Sequence, residues 1–135
     1  MKVINKIYIN GEFITPNGTE ILELINPTSG QKMAEVTLAD KVDTQNAIHA
    51  ARVAFKAFSK STKDERITLL EKIRSVIIKR QKDLTDVMVE EYGGTYQFCS
   101  MVSQFAIDDF TAMIETLKNF DFERTIGHSK LRLTL

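Results

Sequence analysis

Apolar side chains change their spacing part-way along the chain. Up to about residue 38 they come in short runs separated by turn-forming residues. After residue 40 they recur every three or four positions, the spacing of one helical face. In the first part, Lys6-Ile7-Tyr8-Ile9 and Glu12-Phe13-Ile14 flank Asn10-Gly11. Asn and Gly tolerate the positive φ angles of a tight primed turn, so this segment predicts a β-hairpin. Two further turns, Pro16-Asn17-Gly18-Thr19 and Asn26-Pro27-Thr28-Ser29-Gly30, bound predicted strands over residues 20–26 and 31–37. Within Ile21-Leu22-Glu23-Leu24-Ile25 both faces carry apolar side chains, which implies a ribbon covered on both sides.

The later part predicts three long α-helices. The first opens near Asp40, a good N-cap residue, and reaches about Phe58, with Ala47, Ala51, Ala54, Phe55 and Phe58 on one face. The second begins at Thr62, where Glu65 completes a capping box, and runs to Gly93-Gly94. Its stripe is Ile67, Leu70, Ile73, Ile77, Leu84, Val87 and Met88. Arg80 interrupts that stripe, and its aliphatic stem can pack while the head reaches water. The third covers about Tyr96 to Phe120, lined by Cys99, Val102, Ala106, Phe110, Met113, Leu117 and Phe120. Residues 1–38 therefore form a β-ribbon and residues 40–120 the helices. Residues 121–135 form the start of a strand or an altered tail, with Leu131 to Leu135 alternating like a strand that lacks a partner.

The remaining bulk properties narrow the function. Eighteen basic residues balance eighteen acidic ones, which argues against nucleic-acid or acidic-membrane binding. No apolar run is long enough to span a bilayer, and the N-terminus lacks the layout of a secretory signal. The single cysteine cannot form an internal disulfide, so the expected location is the cytoplasm.

No side chain stands out as catalytic. Cys99 lies on the apolar side of its predicted helix with no cationic residue within a turn, the setting of a structural thiol. His49 sits beside the alanine face, and His128 is the only other histidine; with one cysteine they make no zinc pattern. Asp108 and Asp109 are adjacent on a helix and point in different directions. Gly93-Gly94-Thr95 lacks the Gly-Lys-Ser/Thr ending of a phosphate loop and reads as a helix stop. The residues by themselves leave open a small helical protein-interaction module that binds through an exposed apolar face.

The order of motifs resembles the start of the aldehyde dehydrogenase superfamily. Tyr8-Ile9-Asn10-Gly11-Glu12-Phe13 is similar to its opening hairpin, and Ile25-Asn26-Pro27-Thr28-Ser29-Gly30 to its Asn-Pro turn. Asp43, Ala47, Ala50, Ala51, Ala54 and Phe55 resemble its alanine-rich helix. Glu65-Arg66 with Leu69-Leu70 resembles the opening of its second helix, and Glu90-Glu91-Tyr92-Gly93 its Glu-Thr-Gly stretch. Gly94-Thr95 departs from the Lys-Pro that many members carry next.

The resemblance implies an α/β fold: an N-terminal hairpin ribbon and helices belonging to the NAD(P)-binding domain, cut before the dinucleotide-binding sheet. It implies NAD or NADP as cofactor, an aldehyde as substrate, and a homo-oligomer. In the family a cysteine thiolate attacks the aldehyde, the thiohemiacetal gives hydride to nicotinamide, and the thioester is hydrolysed. The sequence holds no tryptophan, hence no Pro-Trp-Asn segment, and no Gly-x-Gly-x-x-Gly. No catalytic or cofactor-binding residue is therefore expected in this chain, nor dehydrogenase activity from it alone. The resemblance also places a possible monovalent-cation site at the backbone of Leu24 and Ile25 and at Glu91, hard oxygen donors of the kind such ions prefer.

Overall fold

The computed structural model describes residues 2–133. Seven strands and four helices follow in the order β1 (Lys2–Ile4), β2 (Ile7–Ile9), β3 (Glu12–Ile14), β4 (Ile21–Ile25), β5 (Lys32–Thr37), α1 (Lys41–Phe58), α2 (Lys63–Lys79), α3 (Gln81–Tyr92), α4 (Tyr96–Asn119), β6 (Glu123–Ile126) and β7 (Ser129–Arg132). The chain divides into two units. One holds residues up to Phe58 together with Val87–Gly94; the other holds Ser59–Asp86 and the residues from Thr95 onward.

In the first unit, Asn10 (φ 54°) and Gly11 (φ 85°) turn the β2–β3 hairpin as a primed turn requires. Its register pairs Ile9 with Glu12 and Tyr8 with Phe13, whose rings meet edge to face at 5.0 Å. A second sheet has the order β1-β5-β4. β5 pairs antiparallel with β4 and parallel with β1, where Lys2 faces Ala34 and Ile4 faces Val36. Strand β1, three residues long, carries no turn or alternation signal of its own. Both faces of β4 are less covered than its apolar sequence implied: Ile21 keeps 59% of its surface exposed and Leu22, on the other face, 49%.

In the second unit, α2 begins with the reciprocal capping box. The Thr62 hydroxyl accepts the Glu65 N–H at 3.2 Å, and the Glu65 carboxylate accepts the Thr62 N–H at 2.7 Å. The Lys63 ammonium donates to the carbonyls of Lys118 (2.8 Å) and Phe120 (3.2 Å), satisfying acceptors that the end of α4 leaves open.

The structure corrects the sequence reading in three places. The expected second helix is two helices, so there are four, not three. The break falls at Arg80 (φ −107°, ψ 15°), whose N–H is shared between Val76 and Ile77 carbonyls at 3.0 and 3.1 Å. Lys79 to Asp83 contain no apolar side chain, so more than one turn has nothing to anchor it, and packing is what sustains a helix in water. The buried line of α4 is also rotated from the expected one: it runs through Cys99, Ser103, Ile107 and Ile114. Ser103 is tolerated there because its hydroxyl donates to the Cys99 carbonyl (2.9 Å) and stands 3.1 Å from the Thr85 hydroxyl. Lastly, Leu131 is not in an unpartnered strand. β7 pairs antiparallel with β6, Arg124 facing Leu131, across a turn at Gly127 and His128. Thr134 and Leu135 lie outside the described residues.

Very little of this structure is interior. The buried apolar residues among those described are Ala34, Cys99, Ile107 and Ile114. The chain exposes 10406 Å². A compact protein of its 15.3 kDa exposes about 7,100 Å², and two separate units of half that mass about 8,600 Å² in total. The excess, at least about 1,800 Å² on that scaling, is about twice what one partner buries in a standard protein–protein interface. It includes the apolar face of α1, with Ala47, Ala51, Ala54, Phe55 and Phe58 all exposed.

Candidate functional site

The best-built polar assembly lies at the start of α1 and was missed as a site residue from sequence. Asp40 caps the helix: its carboxylate accepts the Asp43 N–H at 3.0 Å, and the Asp43 carboxylate accepts the Asp40 N–H at 3.0 Å. This is a capping box built from two aspartates, and the Asp-x-x-Asp spacing was the signal available to find it. Asp43 does more than cap. Its oxygens also accept the Asn17 N–H (2.9 and 3.1 Å), the Asn17 side-chain amide (2.7 Å) and the Gly18 N–H (3.2 Å). The residue has 0% of its surface exposed. Burial acts to raise its pKa, but the donated hydrogen bonds from Asp40, Asn17 and Gly18 outweigh it and hold the carboxyl down at about 2, from 3.8. A fully satisfied carboxylate of this kind has no free lone pair aimed at a ligand. Its role is to pin the turn before β4 to α1.

The second assembly surrounds Asn26. Its side-chain oxygen accepts the N–H groups of Thr28 and Ser29, both at 2.9 Å, which folds the Asn-Pro turn onto itself. Its side-chain amide donates to the Glu90 carbonyl at 3.1 Å, near the end of α3. Gly93 closes that helix with φ 75°, its N–H reaching the Val89 carbonyl at 3.2 Å. A β-carbon on Gly93 would stand 2.8 Å from the Pro27 ring, so the helix end and the turn meet at van der Waals distance.

The segment bearing Leu24 and Ile25 is thus held beside the end of the helix that carries Glu91. A register irregularity falls between Leu24 and Ile25, on a strand at the sheet edge. Glu91 is exposed. Among the described residues no three His, Cys, Asp or Glu side chains gather as a metal-binding group.

The other candidates stay apart. Cys99 is fully buried on α4, and His49 and His128 are exposed on α1 and in the β6–β7 turn. Asp108 accepts from Gln104 at 2.9 Å on its own helix, while Asp109 lines a small apolar slot with Leu70, Phe110 and Met113. The Thr95 hydroxyl accepts the Phe98 N–H at 3.3 Å and so caps α4. That use of Gly93, Gly94 and Thr95 is a helix stop followed by a helix start, and it offers no phosphate cradle. No helix among the described residues is long and apolar enough to cross a membrane.

These elements match known proteins in order and in space. The family model for the aldehyde dehydrogenase family matches residues 13–134. The chain belongs to the aldehyde dehydrogenase family. Its α/β ribbon-and-helix architecture is that of part of the aldehyde dehydrogenase fold. A Staphylococcus aureus protein (strain bovine RF122 / ET3-1) named as an aldehyde dehydrogenase is 31% identical over 128 residues, which is 94% of this chain and 27% of that protein. The aldehyde dehydrogenase of Bartonella henselae superposes with a TM-score of 0.90 at 26% identity, over 96% of this chain and 28% of that one. Aldehyde dehydrogenase C of Pseudomonas syringae, solved with NAD+ and octanal, shares the fold at a TM-score of 0.87 and 24% identity, over 93% of this chain and 26% of that one. The chain therefore spans about a quarter of the length of the aldehyde dehydrogenases it matches.

Proposed function

We propose that this chain is the N-terminal segment of an NAD(P)-dependent aldehyde dehydrogenase, which in complete form oxidises an aldehyde to a carboxylic acid. Within that enzyme the segment is architectural. Residues 1–38 supply the ribbon and residues 40–120 the helices of the cofactor-binding domain. Residues 121–135, which begin with the β6–β7 hairpin, supply part of the surface that joins subunits into a homo-oligomer in the cytoplasm. The observation that carries this reading is the near-complete superposition of this chain on 28% of a solved aldehyde dehydrogenase. The large exposed apolar area supports it, because faces of that size are covered in a finished protein. The Pseudomonas complex with NAD+ and octanal supports the cofactor and the substrate class. The described residues do not fit a dinucleotide phosphate, so no catalytic step is assigned to them.

An NAD(P)-dependent aldehyde oxidation assay on this chain, beside a form extended to the full length of its relatives, tests the reading. The extended form is expected to reduce the cofactor and to run as a defined oligomer. The short chain is expected to be inactive and to associate heterogeneously. Turnover by the short chain, or an inactive extended form that is folded and uniform, refutes it.

The carbonyls of Leu24 and Ile25 and the carboxylate of Glu91 form part of a monovalent-cation site in that extended enzyme. Their donor chemistry fits such an ion, and the Asn26–Glu90 hydrogen bond supports their proximity. Potassium is expected to raise the melting temperature of the extended enzyme relative to a bulky organic cation, and Glu91→Gln to reduce that difference. An equal potassium effect in both proteins removes Glu91 from the site.

A further inference from the structure

The sequence contains two Asn-Gly dipeptides, Asn10-Gly11 and Asn17-Gly18. Asn-Gly is the dipeptide most prone to spontaneous deamidation. Glycine lacks a β-carbon, so its backbone nitrogen can reach the side-chain carbonyl carbon of the preceding asparagine. That nitrogen forms a bond to the carbon, ammonia leaves, and a five-membered succinimide results. Water then opens the ring to aspartate or isoaspartate, with no oxidant or reductant involved. The reaction needs a free glycine N–H, a free asparagine amide and room to rotate.

The two sites differ in each respect. Asn10 is exposed at the tip of the β2–β3 hairpin. Among the described residues no hydrogen bond holds its side chain or the Gly11 N–H. A β-carbon added at Gly11 would meet nothing within 4 Å, and the turn borders an open groove beside Ala47 and Ala50 of α1. Asn17 has its side-chain amide on Asp43 at 2.7 Å, and the attacking nitrogen, Gly18 N, donates to the same carboxylate at 3.2 Å. Gly18 is also wedged against backbone: a β-carbon there would lie 2.1 Å from the Leu38 carbonyl oxygen.

We propose that Asn10 is a site of deamidation and isoaspartate formation in this protein, and that the Asp43 carboxylate protects Asn17 from the same reaction. The product matters to the fold. Isoaspartate adds one atom to the main chain at a two-residue turn, so the Ile9–Glu12 pairing cannot be kept in register. Modification at Asn10 therefore opens the hairpin, whereas Asn17 outlasts it.

The full chain is incubated at mildly alkaline pH, folded and in parallel in concentrated urea. Peptide mass mapping and isoaspartyl methyltransferase labelling follow each asparagine. In urea the two sites are expected to react at similar rates. In the folded chain Asn17 is expected to slow by at least about tenfold relative to Asn10, the suppression given by keeping one charge-assisted hydrogen bond closed. Equal rates in the folded chain, or an unmodified Asn10 while Asn17 reacts or both stay intact, overturn the proposal.

Discussion

Gly18→Ala is expected to lower the melting temperature by about 10 °C or more, because overpacking costs about 1–3 kcal/mol where the neighbour can yield. Here the neighbour yields poorly. The new β-carbon would lie 2.1 Å from the Leu38 carbonyl oxygen and 3.0 Å from backbone atoms of Ala39 and Asp40. Each of these is main chain and not the tip of a flexible side chain. Relief requires the turn before β4 to move, and that turn carries two residues bound to Asp43. The Leu38 N–H, bonded to the Glu20 carbonyl at 2.8 Å, resists from the other side. Dichroism against temperature, on this chain and on the extended enzyme, measures the change. An unaltered transition would mean that the turn shifts freely and that the Asp43 assembly is soft. Combining Gly18→Ala with Asp43→Asn is expected to cost less than the two separate losses added, since both release the same turn.

Acid is expected to loosen the first unit in a defined window. The Asp43 carboxyl sits at about 2 in the folded chain against 3.8 for an unperturbed aspartate. Its folded value is depressed, so its contribution is complete above the unfolded value and is lost as pH falls toward the folded one. Between those two values unfolding should take up a proton at this site, approaching about one per chain. Asp43→Asn should remove that uptake and flatten the pH dependence of the urea midpoint over the same interval, while weakening the assembly at neutral pH. The amide presents its own N–H groups to the N–H donors of Asn17, Gly18 and Asp40, and cannot satisfy them as the carboxylate does. A variant that keeps the slope of the parent shows that other carboxylates govern the acid transition.

The legible parts of the fold are those whose physics is local. Asn10-Gly11 specifies its turn through backbone conformation alone, and Thr62 with Glu65 closes its capping box within four residues. The parts that escaped depend on distant partners. The break at Arg80 was hidden because Ile77 and Leu84 lie seven positions apart, so the helical stripe continues in phase across it. Glu123–Ile126 reads as polar and becomes a strand through pairing with Ser129–Arg132. Thr85 and Ser103 lie outside the apolar stripes, yet each makes the other's burial acceptable. Asp43 was noted only as a position in an alanine-rich helix; the turn that binds it lies more than twenty residues earlier. The cation candidates at Leu24, Ile25 and Glu91 came from family resemblance and not from residue pattern, since a backbone carbonyl leaves no mark in a sequence.

The parallel pairing of β1 with β5 has a consequence for how the chain is made. Its hairpins can close within microseconds of leaving the ribosome, because their partners are two residues away. Lys2 must wait for Ala34, and Ile4 for Val36. At about 5–20 residues per second, that delay is roughly 2–6 seconds. Throughout it Val3 and Ile4 have no β5 to pair with, and any other free strand edge can compete for them.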